Sequence, residues 1–459
     1  MAEYVLKRFA PTKAVQRKVH TQDLTLAEGT VVAAHQFHRP PSQPVLEYGT
    51  DHGAHLPFRV HLRQIASVQI DHRAHRVRCD PHVHGRKVTR SGCLSFAAVF
   101  QEEIMRRCLQ LARNGTGAVA PNPLVGAVLT RGERILAEGW HRACGGPHAE
   151  VECLRAFGDG PVPADAVMYV NLEPCAHHGR TPPCIDLLIA RGVEHLVVGC
   201  TDPDPRVSGK GSARAREAGI HVVPDVLRAE CRWVNRRFLH RFEQRRPYVV
   251  LKWARSPDGY LDDHGKPTRI SSPDTDVLVH EWRSEEQAIL VGGRTVMNDD
   301  PQLTVRLTRG RSPIRIVMDR TGSVPEDARV FDGAAPSLLV SPAANAVHPR
   351  GAVRSPEGLG LQDAIHHLLR DVLVSEERMT GYGLPVVSSV LVEGGGRILS
   401  AFLESGLWDE LRVINGQVPL HGGTKAPDPD LVPVRRFTSG GDRIDLFVNG
   451  EAPDTDWTW

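Results

Sequence analysis

No run of about 18 apolar residues occurs in the sequence, which excludes a membrane-spanning helix as its organising element. The N-terminus lacks the basic-then-apolar layout of a secretory signal, so the expected location is cytoplasmic. Net charge is also nearly absent, with 56 Lys and Arg against 54 Asp and Glu, a formal +2. Such a balance predicts neither a nucleic acid nor a membrane surface as partner, and leaves a small-molecule substrate as the expected one. Cysteines are few and odd in number, nine in 459 residues, which argues against a complete disulfide framework. Cys153, Cys200 and Cys231 lie in or beside apolar segments and read as reduced thiols. A hydrophobic share of 41% and a charged share of 24% fit a soluble globular enzyme, and the length predicts two or three domains. Whether copies assemble into a homo-oligomer is open at this level.

The chemistry concentrates in two short pieces that must meet in space, His148-Ala149-Glu150 and Pro174-Cys175-Ala176-His177-His178-Gly179-Arg180-Thr181-Pro182-Pro183-Cys184. One imidazole nitrogen and two thiolates, from His148, Cys175 and Cys184, make a three-ligand set for Zn²⁺ with its fourth tetrahedral position open to water. An open position implies a catalytic metal, which lowers the pKa of that water towards neutrality. Glu150, two residues from His148, is placed as a carboxylate that moves protons without ligating. H-x-E followed by P-C-x-x-C is the arrangement of zinc nucleobase deaminases. Here eight residues separate Cys175 from Cys184, so a longer loop must fold back before the second thiolate reaches the metal. Each residue taken singly reads as well as a satisfied histidine or a buried thiol.

That loop, P-C-A-H-H-G-R-T-P-P-C, resembles the deaminase half of the bifunctional riboflavin-biosynthesis deaminase-reductase family. The resemblance covers about residues 101 to 450, with the halves in the same order. It implies a cytidine-deaminase-like α/β/α layered domain, residues 101–245, followed by a dihydrofolate-reductase-like α/β domain, residues 246–459. Residues 1–100 stand apart. They hold ten of the 23 histidines, scattered prolines and almost no periodic apolar pattern, and receive no fold. A disordered extension or a start codon placed too far upstream is favoured over a metal-binding tail at His72–His84.

The ordered pattern begins near residue 101. Ile104, Cys108, Leu111 and Ala112 recur at helical spacing over 103–113, and Asn114-Gly115 ends that helix. Leu124–Leu129, a stretch near Ile135, Ala166–Val170, His195–Gly199 and Ile220–Val223 read as strands. Helices are predicted from His148 to Phe157, packing Ala149, Cys153 and Ala156, from Pro182 to Gly192, and from Leu227 to Gln244. Alternation of this kind predicts an α/β layered sheet with the metal at one end. In the family the Ala-Pro-Asn-Pro-x-Val-Gly piece borders the substrate pocket, which implies substrate contacts from Asn122 and His141. A turn-capping asparagine and a surface histidine fit these two equally well from the sequence alone.

A second α/β pattern starts at Tyr248–Ala254, directly after Arg245-Arg246-Pro247. Its pieces resembling the family's reductase half are Leu251–Gly259, Ile270–Pro273, Trp282–Ser284, Ala288–Gly292, Thr295–Arg306 and Val392–Gly396. Val390–Phe402 reads as strand, glycine turn and helix, and its glycines would let backbone N–H groups approach a pyrophosphate at the helix start. With no metal-ligand set in this half, a nicotinamide cofactor, NADPH, is the expected one. The resemblance places Lys252, Ser256, Arg283, Leu303, Arg306 and Glu393 against the substrate, the two arginines on its 5′-phosphate. It places Arg255, Thr295, Asp299, Gly395, Gly396 and Arg397 against the dinucleotide. Arg320, directly after the strand Ile314–Met318, is the candidate for the NADP 2′-phosphate. The chain departs from the family at Arg269, where many relatives have tryptophan, and at Pro267, where a small polar residue is common; both put cofactor contacts around 264–269 in doubt.

The implied chemistry is hydrolytic deamination of 2,5-diamino-6-ribosylamino-4(3H)-pyrimidinone 5′-phosphate, then reduction of the ribose of 5-amino-6-(5-phosphoribosylamino)uracil to a ribityl chain. One rival is a nucleoside or nucleic-acid deaminase with an unrelated second half. Another is a zinc-stabilised binding module, which would need a fourth protein ligand such as Cys144 or Cys153.

Overall fold

The computed structural model describes residues 68–71, 76–79, 90–177, 182–266, 268–342, 352–354 and 358–451. Within the stretch that received no fold, β1 (Val68–Asp71) and β2 (Arg76–Cys79) pair as an antiparallel hairpin. His72, His75, His82 and His84 lie outside the described residues, as does Pro267.

The first helix, α1 (Arg90–Arg113), starts thirteen residues before the predicted Glu103 and buries Ile104, Met105, Cys108, Leu109, Leu111 and Ala112. The chain continues through β3 (Gly126–Arg131), β4 (Arg134–Trp140), α2 (Ala149–Phe157), β5 (Ala166–Val170), α3 (Cys184–Ala190), β6 (His195–Val198), α4 (Lys210–Glu217) and β7 (His221–Val223). Their sheet has the order β4-β3-β5-β6-β7, with β3 antiparallel to both neighbours and β5, β6 and β7 parallel. Two glycines let helices lie close on this sheet. A Cβ on Gly126 would stand 2.1 Å from Cys108 O of α1, and one on Gly139 2.2 Å from Cys153 N of α2. Helix α2 turns Ala149, Glu150, Cys153 and Leu154 inward, while Ala156, expected on the packed side, is exposed.

The single helix predicted over 227–244 is two, α5 (Arg228–Val234) and α6 (Arg236–Glu243). The break is at Asn235, whose side chain accepts from Leu124 N at 2.8 Å and donates to Leu124 O at 3.0 Å.

The second half contains β8 (Tyr248–Arg255), α7 (Pro273–Glu285), β9 (Ala288–Gly292), α8 (Gly293–Asp299), β10 (Ile314–Met318), β11 (Ser337–Ser341), β12 (Ala352–Arg354), α9 (Leu361–His367), α10 (Glu376–Gly381), β13 (Ser389–Val392), α11 (Gly396–Ser405), β14 (Glu410–Asn415), β15 (Arg435–Ser439) and β16 (Asp442–Val448). They build a nine-stranded sheet, β12-β11-β10-β9-β13-β8-β14-β16-β15, parallel as far as β14 and antiparallel beyond it. Separate apolar clusters line its faces, as covered parallel strands require.

A buried ionic cluster joins the two halves. Arg237 of α6 donates to both oxygens of Glu286, Nε at 2.8 Å, and Arg236 reaches Glu410 at 3.2 Å. Arg412 binds Glu410 at 2.7 Å and approaches Glu286 at 3.6 Å, and the Tyr248 hydroxyl donates to Glu410 at 3.2 Å.

Candidate active sites

The sheet of the first half delivers three ligand-type atoms to one point. His148 sits at the N-cap of α2 in extended conformation, Cys184 is the first residue of α3, and Cys175 lies on the exit from β5. His148 Nδ1 is 3.2 Å from Cys184 Sγ and 3.6 Å from Cys175 Sγ, and all three ligand atoms lie within 4.8 Å of one another. Tetrahedral zinc with Zn–S of about 2.3 Å and Zn–N of about 2.0 Å puts nitrogen and sulfur about 3.5 Å apart, so the donor set fits the metal. The Cys184 backbone N–H donates to Cys175 Sγ at 3.2 Å. Hydrogen bonds from Cys184 and His148 pull the Cys175 thiol well below its usual pKa, towards the thiolate that a metal requires. His178 to Thr181 lie outside the described residues.

Glu150 is 3% exposed beside these ligands. Burial pushes its carboxyl above the usual value against the opposing pull of His148. A carboxyl moved upward towards neutrality suits a group that takes and returns protons.

Asn122 and His141 meet each other and the metal-ligand group. The Asn122 amide donates to His141 Nε2 at 3.1 Å, which leaves the proton on Nδ1 to donate to Pro147 O at 2.9 Å. The two histidine rings, His141 and His148, are edge to face at 5.5 Å. At 2% exposure His141 is not a surface histidine.

Two residues that the sequence reasoning missed aim the Cys175 loop. Asn171, fully buried, accepts from Gly126 N at 2.8 Å and donates to Leu124 O at 3.0 Å. Glu173 accepts from Gly209 N at 2.9 Å and Ser212 N at 2.8 Å, tying the strand exit to the start of α4. The N-x-E-P-C run was the available signal. Cys144 is exposed and Cys153 donates to Ala137 O at 3.5 Å, so neither joins the group. Among the described residues that group is His148, Cys175 and Cys184.

In the second half Glu393, at the exit of β13, is the meeting point. Lys252 Nζ lies 3.4 Å from its Oε2, and Arg283 clasps both oxygens, Nε at 2.8 Å and Nη2 at 2.9 Å. Burial would raise this carboxyl, but Arg283 and Lys252 outweigh it and hold the pKa at about 2. Arg306 is an exposed residue whose Nη1 donates to Thr304 Oγ1 at 2.8 Å and to Thr304 O at 3.4 Å. Leu303 is 3% exposed, packed into one apolar cluster with φ +55, a strained backbone for a leucine. Ser256 Oγ accepts from Tyr260 N at 2.9 Å, so it closes a turn.

Around the glycine turn, Thr295 Oγ1 accepts from Gly395 N at 3.1 Å, joining the start of α8 to the start of α11. A Cβ on Gly394 would stand 2.9 Å from Ile398 Cγ2, and on Gly396 3.3 Å from Thr424 Cγ2, so bare backbone lines the turn. It opens on a cleft of about 600 Å³ lined by Gly396, Arg397, Ser400, Thr424 and Lys425 among others. This cradle at a helix start fits a dinucleotide pyrophosphate. Asp299, at the far end of α8, has its carboxyl raised by burial and by Asp262. Arg255 donates to Asn415 at 2.8 Å, and Arg320 donates to Leu359 O at 3.1 Å beside a smaller cavity of about 110 Å³. Arg269, the departure from the family pattern, is exposed and pairs with Asp276 at 2.8 Å.

Comparison with known proteins covers both halves. Residues 99–200 match the cytidine and deoxycytidylate deaminase zinc-binding region, and residues 247–427 match the RibD C-terminal domain. The riboflavin biosynthesis protein RibD of Bacillus amyloliquefaciens is 37% identical over 330 residues, covering 71% of this chain and 87% of that protein. RibD of Escherichia coli K12 is 36% identical over 329 residues, covering 68% and 86%. Among solved structures, the diaminohydroxyphosphoribosylaminopyrimidine deaminase/5-amino-6-(5-phosphoribosylamino)uracil reductase of Thermotoga maritima superposes with a TM-score of 0.68 at 34% identity, covering 76% of this chain and 99% of that one. No helix among the described residues is long and apolar enough to cross a membrane. Because related sequence runs through both sites, the rival with an unrelated second half fails, and the chain belongs to the RibD family of riboflavin biosynthesis, a deaminase followed by a reductase.

Proposed function

We propose that the first half hydrolyses the amino group of 2,5-diamino-6-ribosylamino-4(3H)-pyrimidinone 5′-phosphate. The second half then reduces the ribose of the resulting 5-amino-6-(5-phosphoribosylamino)uracil with NADPH. The observation that carries this reading is the convergence of His148 Nδ1, Cys175 Sγ and Cys184 Sγ beside the buried carboxyl of Glu150, which is not one of the three. Zn²⁺ held by those three residues would supply a Lewis acid that lowers the pKa of a bound water to about 7. Glu150 takes the two protons of the attacking water in turn, passing the first to the ring nitrogen and the second to the departing amine. Water oxygen becomes the new carbonyl and ammonia leaves. Asn122 and His141, fixed on one another, border the pyrimidine.

For the second step NADPH, when bound, would supply a hydride for the ribose carbon. Gly395, Gly396, Arg397 and Thr295 would hold its pyrophosphate region, Arg255 and Asp299 would add further contacts, and Arg320 would take the 2′-phosphate. Lys252, paired with Glu393, would give a proton to the ribose oxygen as the sugar opens. Arg283, through the nitrogen not clasped by Glu393, and Arg306 bind the 5′-phosphate, while Ser256 and Leu303 shape the wall.

The test is to follow ammonia release and NADPH absorbance separately. Glu150→Gln is expected to abolish ammonia release and to leave reduction of the deaminated compound at the wild-type rate. Loss of both steps together would refute independent sites.

A further inference from the structure

His280 lies on α7, one turn before Arg283, and is 4% exposed. Its Nδ1 is 2.9 Å from the backbone nitrogen of Arg306. A backbone N–H can only donate, so Nδ1 is the acceptor and the neutral ring carries its proton on Nε2. That Nε2 stands 3.5 Å from Arg283 Nη1. A guanidinium has no acceptor, so this contact is two N–H donors facing each other and not a hydrogen bond. The other two nitrogens of Arg283 bind Glu393, which leaves Nη1 and the His280 Nε2–H side by side, with no acceptor for either among the described residues.

The charges around this donor pair are unbalanced in one direction. Lys252, Arg283 and Arg306 bring three positive charges and Glu393 one negative, while Asp276 nearby is paired with Arg269, leaving two positive. A phosphomonoester carries about −1.5 to −2 at pH 7. Burial, Arg283 and Arg306 together lower the His280 pKa to about 4, so the ring serves as a neutral donor at neutral pH.

We infer that His280 is a further phosphate-binding residue of the reductase site, its Nε2–H and Arg283 Nη1 sharing one oxygen of the substrate's 5′-phosphate. The inference rests on the reductase reading above. The cofactor's phosphates are the other source of the same chemistry. Position favours the substrate, since the donor pair adjoins Glu393 and Lys252 while the glycine turn is held by Thr295.

Asparagine and glutamine separate the two ring nitrogens. In His280→Asn the amide oxygen replaces Nδ1 and keeps the Arg306 amide paired, but nothing replaces Nε2–H. In His280→Gln the amide nitrogen reaches the Nε2 position. Steady-state reduction of the deaminated ribosyl phosphate is measured for both variants and for the wild type, with NADPH varied separately. His280→Asn is expected to raise the KM for the phosphorylated substrate about tenfold, one lost hydrogen bond to a charged group, with the KM for NADPH and Tm unchanged. His280→Gln should restore most of that affinity, and the dephosphorylated substrate should not distinguish His280→Asn from wild type. An unchanged KM for the phosphorylated substrate in a folded His280→Asn overturns the inference, as does a rise confined to NADPH. If His280→Asn fails to fold, a KM in His280→Gln raised tenfold alike for phosphorylated and dephosphorylated substrate overturns it. Failure of the wild type to reduce the substrate at all would instead refute the reductase reading.

Discussion

Arg237→Met tests what the buried cluster between the halves contributes. The Glu286 side chain is 0% exposed, and Arg237 binds both of its oxygens. Burial alone would raise this carboxyl; Arg237 first, then Arg412, outweigh burial and hold it below the usual range. With Arg237 gone, the nearest remaining cation is Arg412 at 3.6 Å, too far for a direct hydrogen bond. Removing one partner of such a buried pair costs about 3–5 kcal/mol, because the other charge stays buried and uncompensated. For a domain of about 200 residues this corresponds to a fall in Tm on the order of 10 °C, readable by scanning calorimetry. The pH dependence has a definite sign. A depressed carboxylate contributes stability above its unfolded pKa of about 4.3 and loses it as pH falls through the folded value. The deficit of the variant should therefore be full at pH 7 and shrink below about pH 4. A loss under about 1 kcal/mol, the size of a surface pair, or a deficit that ignores acid, would refute the reasoning.

Arg320→Ala should weaken NADPH about ten- to a hundredfold in KM, the loss of a charge-assisted contact, and leave NADH unaffected; equal loss for both would remove Arg320 from the 2′-phosphate. Glu393, with its pKa at about 2, should keep its pairs with Arg283 and Lys252 well into acid. The stability difference between wild type and Glu393→Gln should be full above about pH 4.3 and vanish as pH falls towards 2, and a difference independent of pH would contradict the assignment.

The meeting of His148, Cys175 and Cys184, with Glu150 beside them, was legible in the sequence because the proposed chemistry demands particular residue types in two short motifs. Strands buried on both faces were equally plain, as in the continuous apolar run Ala166–Val170, and at Ile314–Met318, where the run is apolar apart from the buried Arg315. The parts that escaped are decided by tertiary contacts. The interruption at Asn235 depends on Leu124, 111 residues away, and no local breaker announces it. Helix α4, Lys-Gly-Ser-Ala-Arg-Ala-Arg-Glu, has only Gly211 and Ala215 buried and carries no apolar period, though it anchors Glu173. In the reductase half, Arg283 looked like a free phosphate ligand, and only the fold reveals that Glu393 occupies two of its three nitrogens. His280 had no signal at all, since its significance comes from the Arg306 amide that fixes its tautomer.

X-ray absorption at the zinc edge, on protein purified without chelator, tests the central claim most directly. The expected result is one zinc per chain with two sulfur atoms at about 2.3 Å and two nitrogen or oxygen atoms at about 2.0–2.2 Å, one of them solvent. Replacing Cys184 by serine should remove one sulfur from that shell or empty it. A metal-free protein that still releases ammonia, or a shell closed by a fourth protein ligand, would contradict the account.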